Sequence, residues 1–167
     1  RIDIFAIPPK FVFEPTLANY YYLIERGVVK PLVNSLILSV SSVILATIIC
    51  LFAAYSFSRF KVPGSNTMMF FVLSLRMFPP VAAVIPLFIL YRLWGLVGTY
   101  PGMIMTYTMF SMPLALWMLK GFIDEIPKSI DDAAKVDGMS VTATVIKIIL
   151  PQLATAIAAT IPVSYTH

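Results

Sequence analysis

The sequence predicts an all-α membrane protein, a polytopic transmembrane helical bundle. Of its 167 residues, 59% are apolar and only 12% are charged, and the mean hydropathy is +0.89. Soluble domains usually carry about 25% charged residues and about 45–50% apolar ones. Several apolar stretches also reach the roughly 20 residues that a helix needs to cross a hydrocarbon core of about 30 Å. The composition therefore excludes an ordinary soluble domain.

The charge and the scarce metal ligands limit the possible partners. A net charge of +4 would suit a nucleic-acid partner, but the basic residues are scattered at the ends of the apolar stretches, as in membrane proteins. We therefore expect contact with membrane lipid and none with nucleic acid. The chain has one cysteine, Cys50, and one histidine, His167. A metal site would need a clearer cluster of such ligands, so we expect no metal and a packing role for Cys50.

The first third of the chain predicts an exposed segment and then one span. Residues 1–31 are mixed in character, with Pro8, Pro9 and several aromatic residues, and predict a partly extended segment that leads to a short helix near residues 17–25. The first span covers about residues 32–57. Its small hydroxyl residues allow neighbouring helices to approach closely in lipid. The Pro63-Gly64 pair follows soon after its end.

Prolines shape the middle of the chain. The second predicted span, residues 66–91, contains Pro79, Pro80 and Pro86, and we expect a kink there because proline frees backbone carbonyls of the helix. Residues 93–101 predict an interfacial turn with aromatic anchors. The third span covers about residues 102–119, and a fourth begins near Ile148. The sequence thus predicts about four spans.

The polar loop between the last two spans, residues 120–147, predicts a short helix. Ser129 fits the N-cap of a capping box with Asp132 three residues later, and Gly138 can take the left-handed conformation that closes a helix. A two-turn helix over residues 130–137 follows, and Ser140 can cap the next helix. Such a short helix is not stable alone in water.

One face of this predicted helix is apolar and small. It comprises Ile126, Ile130, Ala133, Ala134 and Asp137 at helical spacing. A short helix with a flat face is typical of an element that docks into a groove on another protein. The alternative is that Asp132 and Gly138 only cap the helix, which leaves the alanines without an explanation.

The same stretch resembles the EAA loop of the permease subunits of bacterial ABC importers. The family pattern is Glu-Ala-Ala, two variable residues, Asp-Gly, and a spacer that ends in Ile-x-Leu-Pro. Asp132 stands where the family usually has glutamate, and the residues from Ala133 to Gly138 and from Ile148 to Pro151 match the pattern. The resemblance implies contact with a cytoplasmic ATPase dimer through the following residues: Ile130, Asp132, Ala133, Ala134, Asp137, Gly138 and Pro151.

Further stretches resemble the maltose-type sugar importer permeases. They are Arg76 to Pro80, Ile85 to Phe88, Trp94 to Thr99, Met112 to Leu114, and Ile126-Pro127. The resemblance implies a permease for a sugar or oligosaccharide, with a second homologous permease and an extracytoplasmic solute-binding protein as partners. A permease for an amino acid, peptide or phosphate is the main alternative.

The chain itself is expected to be a transport subunit and not an enzyme. It lacks the Gly-x-x-x-x-Gly-Lys-Ser/Thr loop that binds nucleotide phosphates. We therefore expect no cofactor in this chain, with ATP and magnesium bound by the partner ATPase.

The resemblance also implies the topology. Six basic residues on one side against five on the other do not decide the orientation. The family loop is cytoplasmic, which makes residues 1–31 extracytoplasmic and residues 32–163 the transmembrane permease domain of the bacterial cytoplasmic (inner) membrane. A six-span subunit is implied, so we expect one span before Arg1, more of the last spans after His167, and a truncated end at residues 164–167.

A substrate pathway is only weakly indicated. Arg76 is the one ionisable residue well inside an apolar stretch, which is a default sign of function. A structural role is favoured for it, since it can bind the carbonyls that Pro79 and Pro80 free. Tyr107 and Ser111 can line a pathway, although hydroxyls also bond within helices.

Two other classes of membrane protein fit less well. A proton-coupled secondary transporter usually has an acidic residue inside a span, whereas every acidic residue here lies outside the apolar stretches. An intramembrane enzyme would need a nucleophile and a base within the spans.

Overall fold

A computed structural model of the chain describes residues 17–154 and 157–158. Within them the regular structure is entirely helical, as predicted. The helices are α1 (Ala18–Glu25), α2 (Val29–Arg59), α3 (Ser65–Ser74), α4 (Pro80–Leu93), α5 (Tyr100–Glu125), α6 (Lys128–Val136) and α7 (Val141–Gln152). A 3₁₀ turn, Leu75–Met77, continues α3. The predicted extended segment before residue 17 and the predicted truncated end at residues 164–167 lie outside the described residues.

The chain divides into two compact units, residues 1–36 and 37–167. In the described part of the first unit, α1 confirms the short helix expected near residues 17–25. The guanidinium carbon of Arg26 lies 4.4 Å from the centre of the exposed Tyr22 ring, which is a cation–π contact. The second unit contains most of α2 and all of α3–α7.

The described residues contain two helices that are long and apolar enough to cross a membrane, α2 and α5. The pair formed by Ser65–Met77 and α4 passes the same test when taken together, which makes up to three spans. The described part of α7, Val141–Gln152, is apolar and shorter than a membrane-crossing helix. The predicted fourth span, from Ile148 onward, lies mostly outside the described residues, so the fold shows two or three candidate spans where the sequence predicted about four.

The predicted kink in the second span is a break, with a bend of 94°. A residue before proline is pushed out of the helical region, and the Pro79-Pro80 pair creates two such positions in succession. Phe78 and Pro79 accordingly have extended backbones, with ψ of 127° and 121°. Pro80 is then the first residue of α4. An N–H at this position has no partner within the helix, so proline, which lacks it, is tolerated there. Two consecutive extended residues explain why the bend exceeds an ordinary proline kink.

The core of the second unit lies where α2, α5 and α7 pack together. Leu119, Ile123, Val145 and Ile149 are fully buried there, together with Cys50, whose thiol donates to the Met112 carbonyl oxygen at 3.5 Å. Cys50 therefore has the packing role that was expected of it. The C-terminal end of α2 is thus held against the end of α5 and against α7.

The start of α5 depends on a glycine that packs against backbone. Thr99 is the N-cap, and its hydroxyl accepts from the Gly102 amide at 3.3 Å. A Cβ at Gly102 would overlap the Leu96 carbonyl oxygen, which belongs to the main chain and cannot swing away. The turn between α4 and α5 therefore requires glycine at position 102.

We expect Gly102→Ala to destabilise the protein by about 1–3 kcal/mol, the usual cost of overpacking a tight site. The measurement is the thermal unfolding midpoint of the complete subunit in detergent. Gly121→Ala is the matched control, because Gly121 lies in the same helix with open space around it. Equal midpoints for the two variants would contradict the close approach at Gly102.

Candidate functional site

The helix α6 occupies the predicted position, but it begins differently from the prediction. It runs from Lys128 to Val136, with Pro127 at the N-cap position and no side-chain capping bond. The predicted capping box of Ser129 and Asp132 is therefore wrong. Ile126 and Pro127 have extended backbones, because Ile126 precedes a proline, and the helix starts directly after them. Ser129 consequently lies inside the first turn.

The C-terminal end of α6 matches the prediction. Gly138 has φ of +73°, its amide donates to the Lys135 carbonyl at 3.0 Å, and the Met139 amide donates to the Ala134 carbonyl at 2.9 Å. These two bonds form a Schellman motif, the helix ending that favours glycine. The Ser140 hydroxyl then accepts from the Ala143 amide at 3.3 Å and caps α7, as expected.

The structure divides the predicted contact residues of α6 between two sides. Asp132, Ala133, Asp137 and Gly138 are exposed, and Ile130 is half-buried. Ala134 is only 1% exposed, so this chain already covers its side chain. The contact role of these residues stays a prediction, but Ala134 is not on the accessible surface of the described fold.

A residue that the sequence analysis missed is the most exposed apolar side chain of α6. Val136 is 88% exposed and follows Ala133 by three positions and Asp132 by four, so the three share one side of the helix. We call Asp132, Ala133 and Val136 the outer face of α6. Asp132 is paired on the surface with Lys135, with 3.0 Å between Oδ1 and Nζ. A valine in a polar loop was the sequence feature that could have identified this face.

The inner side of α6 is fixed to α2 by buried polar groups. The Tyr55 hydroxyl donates to Asp131 Oδ1 at 2.7 Å. Arg59 Nε lies 2.7 Å from Asp131 Oδ2 in an ion pair whose two side chains are 6% and 4% exposed. Arg59 Nη2 also donates to the Ile126 carbonyl oxygen at 2.8 Å. We call Tyr55, Arg59 and Asp131 the buried anchor; nothing in the sequence pattern predicted contact between these three residues.

Pro151 lies on α7 and is exposed. It follows a π-helical segment, Val145–Ile149. The proline ring has no N–H and crowds the carbonyl four residues earlier, and a π-helical turn is one way in which a helix accommodates such a disruption. Pro151 therefore belongs to a different helix from the outer face, and its predicted contact with a partner stays a prediction.

The three residues proposed for a substrate pathway lie in different local settings of the described fold. Tyr107 lines an open groove of about 270 Å³ together with Tyr91 and Thr106, and neither Arg76 nor Ser111 is in its lining. Arg76 is exposed in the 3₁₀ turn before the 94° bend. The Ser111 hydroxyl donates to the Tyr107 carbonyl at 2.8 Å within α5. The pathway role of these residues stays a prediction.

We expect Gly138→Ala to destabilise the complete subunit by about 1–2 kcal/mol, because an L side chain resists the left-handed backbone. Open space surrounds Gly138, so the loss comes from the backbone alone. Gly138→Asn is the matched control, since asparagine tolerates this conformation better, and it should lose less. Thermal unfolding in detergent measures both. An alanine variant as stable as the wild type would contradict the observed helix ending.

Comparison with known proteins connects this arrangement to a family. Residues 46–167 match the family described as "Binding-protein-dependent transport system inner membrane component". The chain is 36% identical over 120 residues to the trehalose transport system permease protein SugB of Mycobacterium tuberculosis, covering 72% of this chain and 44% of that protein. It is also 36% identical over 147 residues to the trehalose/maltose transport system permease protein MalG of Thermococcus litoralis, covering 88% and 50%. The chain thus spans about half the length of these relatives.

A solved structure has the same fold. It is a crystal structure of a bacterial ABC transporter involved in the import of the acidic polysaccharide alginate, which matches with a TM-score of 0.66 and 21% identity. The match covers 80% of this chain and 46% of that chain. At this identity the likeness concerns the arrangement of the helices.

Proposed function

This chain belongs to the family of binding-protein-dependent transport system inner membrane components, and from that premise we propose that it serves an ATP-driven importer in which α6 docks on a cytoplasmic ATPase. The main observation in support of the proposal is that the two sides of α6 differ in burial. Its inner side is fixed to α2 through Asp131, while Val136 on its outer face is 88% exposed. A helix that is held on one side and exposes an apolar side chain on the other is suited to dock into a groove of a partner protein.

We propose a sugar or oligosaccharide as the transported solute. The proposal is supported by the relatives at 36% identity, whose names refer to trehalose and maltose. Sugars are polar and do not cross hydrocarbon unaided, so a cavity between helices has to replace the water around them. Arg76, Tyr107 and Ser111 remain the residues that we propose for contact with the solute.

The proposed mechanism is alternating access. ATP and magnesium bind to the ATPase dimer, and its closure moves α6 together with the ends of α2 and α5. A second homologous permease completes the cavity, and an extracytoplasmic solute-binding protein delivers the sugar. The rocking of the spans is a rigid-body transition between two states that ligands bias. We propose six spans for the complete subunit, with about four in the present chain.

Solute uptake tests the proposed function. The complete gene is deleted in the source bacterium, and uptake of labelled trehalose, maltose, an amino acid, a peptide and phosphate is measured before and after complementation. We expect loss of sugar uptake alone, restored by the gene. Loss of amino acid, peptide or phosphate uptake with intact sugar uptake would identify another importer, and unchanged uptake of all five would contradict the proposal.

A further inference from the structure

The helix α6 needs an external support to transmit force. It has nine residues, which is too short for a stable isolated helix. The two residues that connect it to α5, Ile126 and Pro127, are extended, so the connection is a break between helices where rotation is possible. A push on the outer face would turn α6 about this break unless another contact prevented it.

Arg59 bridges the break from the side of α2. Its guanidinium contacts the Ile126 carbonyl before Pro127 and the Asp131 carboxylate after it, at 2.8 Å and 2.7 Å. Tyr55, one turn earlier in α2, contacts the other oxygen of the same carboxylate at 2.7 Å. The Tyr55 and Arg59 Nη2 contacts are hydrogen bonds, whereas the contact between Arg59 Nε and Asp131 Oδ2 is a charge contact without hydrogen-bond geometry. The start of α6 is thereby fixed in position and orientation relative to α2.

Stability alone does not account for this arrangement. A buried ion pair is often no more stabilising than well-packed apolar residues of similar volume, because both charges lose their water. What the hydrogen bonds of the buried anchor supply and apolar packing lacks is direction, since the Tyr55–Asp131 and Arg59–Ile126 bonds each fix an angle as well as a distance. Two other pairs of the same region, the partly exposed Lys120–Asp124 pair and the exposed Asp132–Lys135 pair, contribute less because water screens them.

We propose that Arg59, Asp131 and Tyr55 are positioning residues that convert movement of α6 into movement of α2, and so set how much solute is transported per ATP hydrolysed. This inference rests on the proposed function. It assigns a role in coupling to residues that do not contact ATP, the solute or the partner. Arg59 is the last residue of α2, so force on Asp131 is delivered directly to a candidate span.

The deciding variant is the double replacement Arg59→Met with Asp131→Leu in the complete transporter, reconstituted in proteoliposomes with its ATPase, sibling permease and binding protein. Both charges are removed together, so the apolar pair should fold and assemble. Labelled trehalose uptake and ATP hydrolysis are measured in the same vesicles. We expect transport per ATP to fall by about fivefold or more, the size of a typical coupling between sites, while ATPase remains bound.

Tyr55→Phe provides a second and milder variant, because it removes one hydrogen bond to Asp131 and keeps the ion pair. We expect it to lower transport per ATP by a smaller factor than the double variant. Lys120→Met is the matched control, since it breaks a partly exposed pair that lies within α5 alone, and its ratio should equal that of the wild type. Substitutions that only weakened the fold would lower uptake and hydrolysis in proportion and leave the ratio unchanged.

The outcomes separate this inference from the proposed function. If the wild-type complex transports sugar with ATP, but the double variant and Tyr55→Phe keep the wild-type ratio, the coupling role is wrong and the proposed function stands. If the double variant does not assemble, an unchanged ratio in Tyr55→Phe is enough to overturn it. If the wild type itself shows no ATP-dependent uptake of any tested solute, the proposed function fails.

Discussion

We expect Val136→Asp to abolish ATP-dependent uptake while the subunit still folds and inserts. The side chain is 88% exposed, so a carboxylate there stays in water and costs the isolated subunit little. In the docked complex the same carboxylate would lose its water without a partner, which is expensive. Truncation of a central interface residue alone costs about 2 kcal/mol or more, equivalent to roughly a thirtyfold loss of affinity.

Two measurements check this prediction: uptake of labelled trehalose in cells, and the amount of ATPase that copurifies with the subunit. Both should fall together. Val141→Asp is the matched control, because Val141 is an exposed valine at the start of α7, where an acidic residue suits the helix dipole. Wild-type uptake in Val136→Asp, or an equal loss in Val141→Asp, would show that the outer face is not the docking surface.

We expect Arg59→Met to destabilise the complete subunit by about 3–5 kcal/mol, the usual cost of leaving one buried charge without its partner. The substitution leaves the Asp131 carboxylate with Tyr55 as its remaining bonded neighbour of the buried anchor, at a side-chain exposure of 4%. Adding Asp131→Leu removes the unpaired charge and should restore most of the stability.

Thermal unfolding of purified subunits in detergent measures this prediction. The midpoint should be lowest for the single variant, and the double variant should lie between it and the wild type, because the Tyr55 hydroxyl and the Ile126 carbonyl lose these partners. Lys120→Met is again the control and should unfold nearer the wild-type temperature, since its pair with Asp124 is partly exposed to water and keeps no charge fully buried. A single variant as stable as the wild type, or a double variant no better than the single one, would contradict the buried pair.

Local sequence features predicted the parts of the fold that depend on neighbouring residues. The long apolar stretches predicted α2 and α5, and Gly138 and Ser140 predicted the end of α6 and the start of α7. The prolines at 79 and 80 predicted a disruption. Its size did not follow from the usual effect of proline in a span, because two successive pre-proline residues bend the chain much further than one.

The missed features depend on distant contacts or on competition between local rules. Tyr55 and Asp131 are 76 positions apart, and no periodicity links them. The predicted capping box does not form because Pro127 takes the N-cap position. The helix therefore begins at Lys128, two residues before the predicted start. The burial of Ala134 also could not be read from spacing, since Ala133 and Ala134 look equivalent until the position of α6 against the core is known.

Site-specific cross-linking to the ATPase tests the central claim most directly. Cys50 is buried and is first replaced by alanine, after which one cysteine is placed at Val136 or at Ala134 of the complete subunit and cross-linked in membranes that contain the ATPase. We predict an adduct at Val136→Cys whose yield changes with ATP, and little at Ala134→Cys, whose position is 1% exposed. An adduct at Ala134 alone, or none at Val136 with the ATPase present, would contradict docking through the outer face of α6.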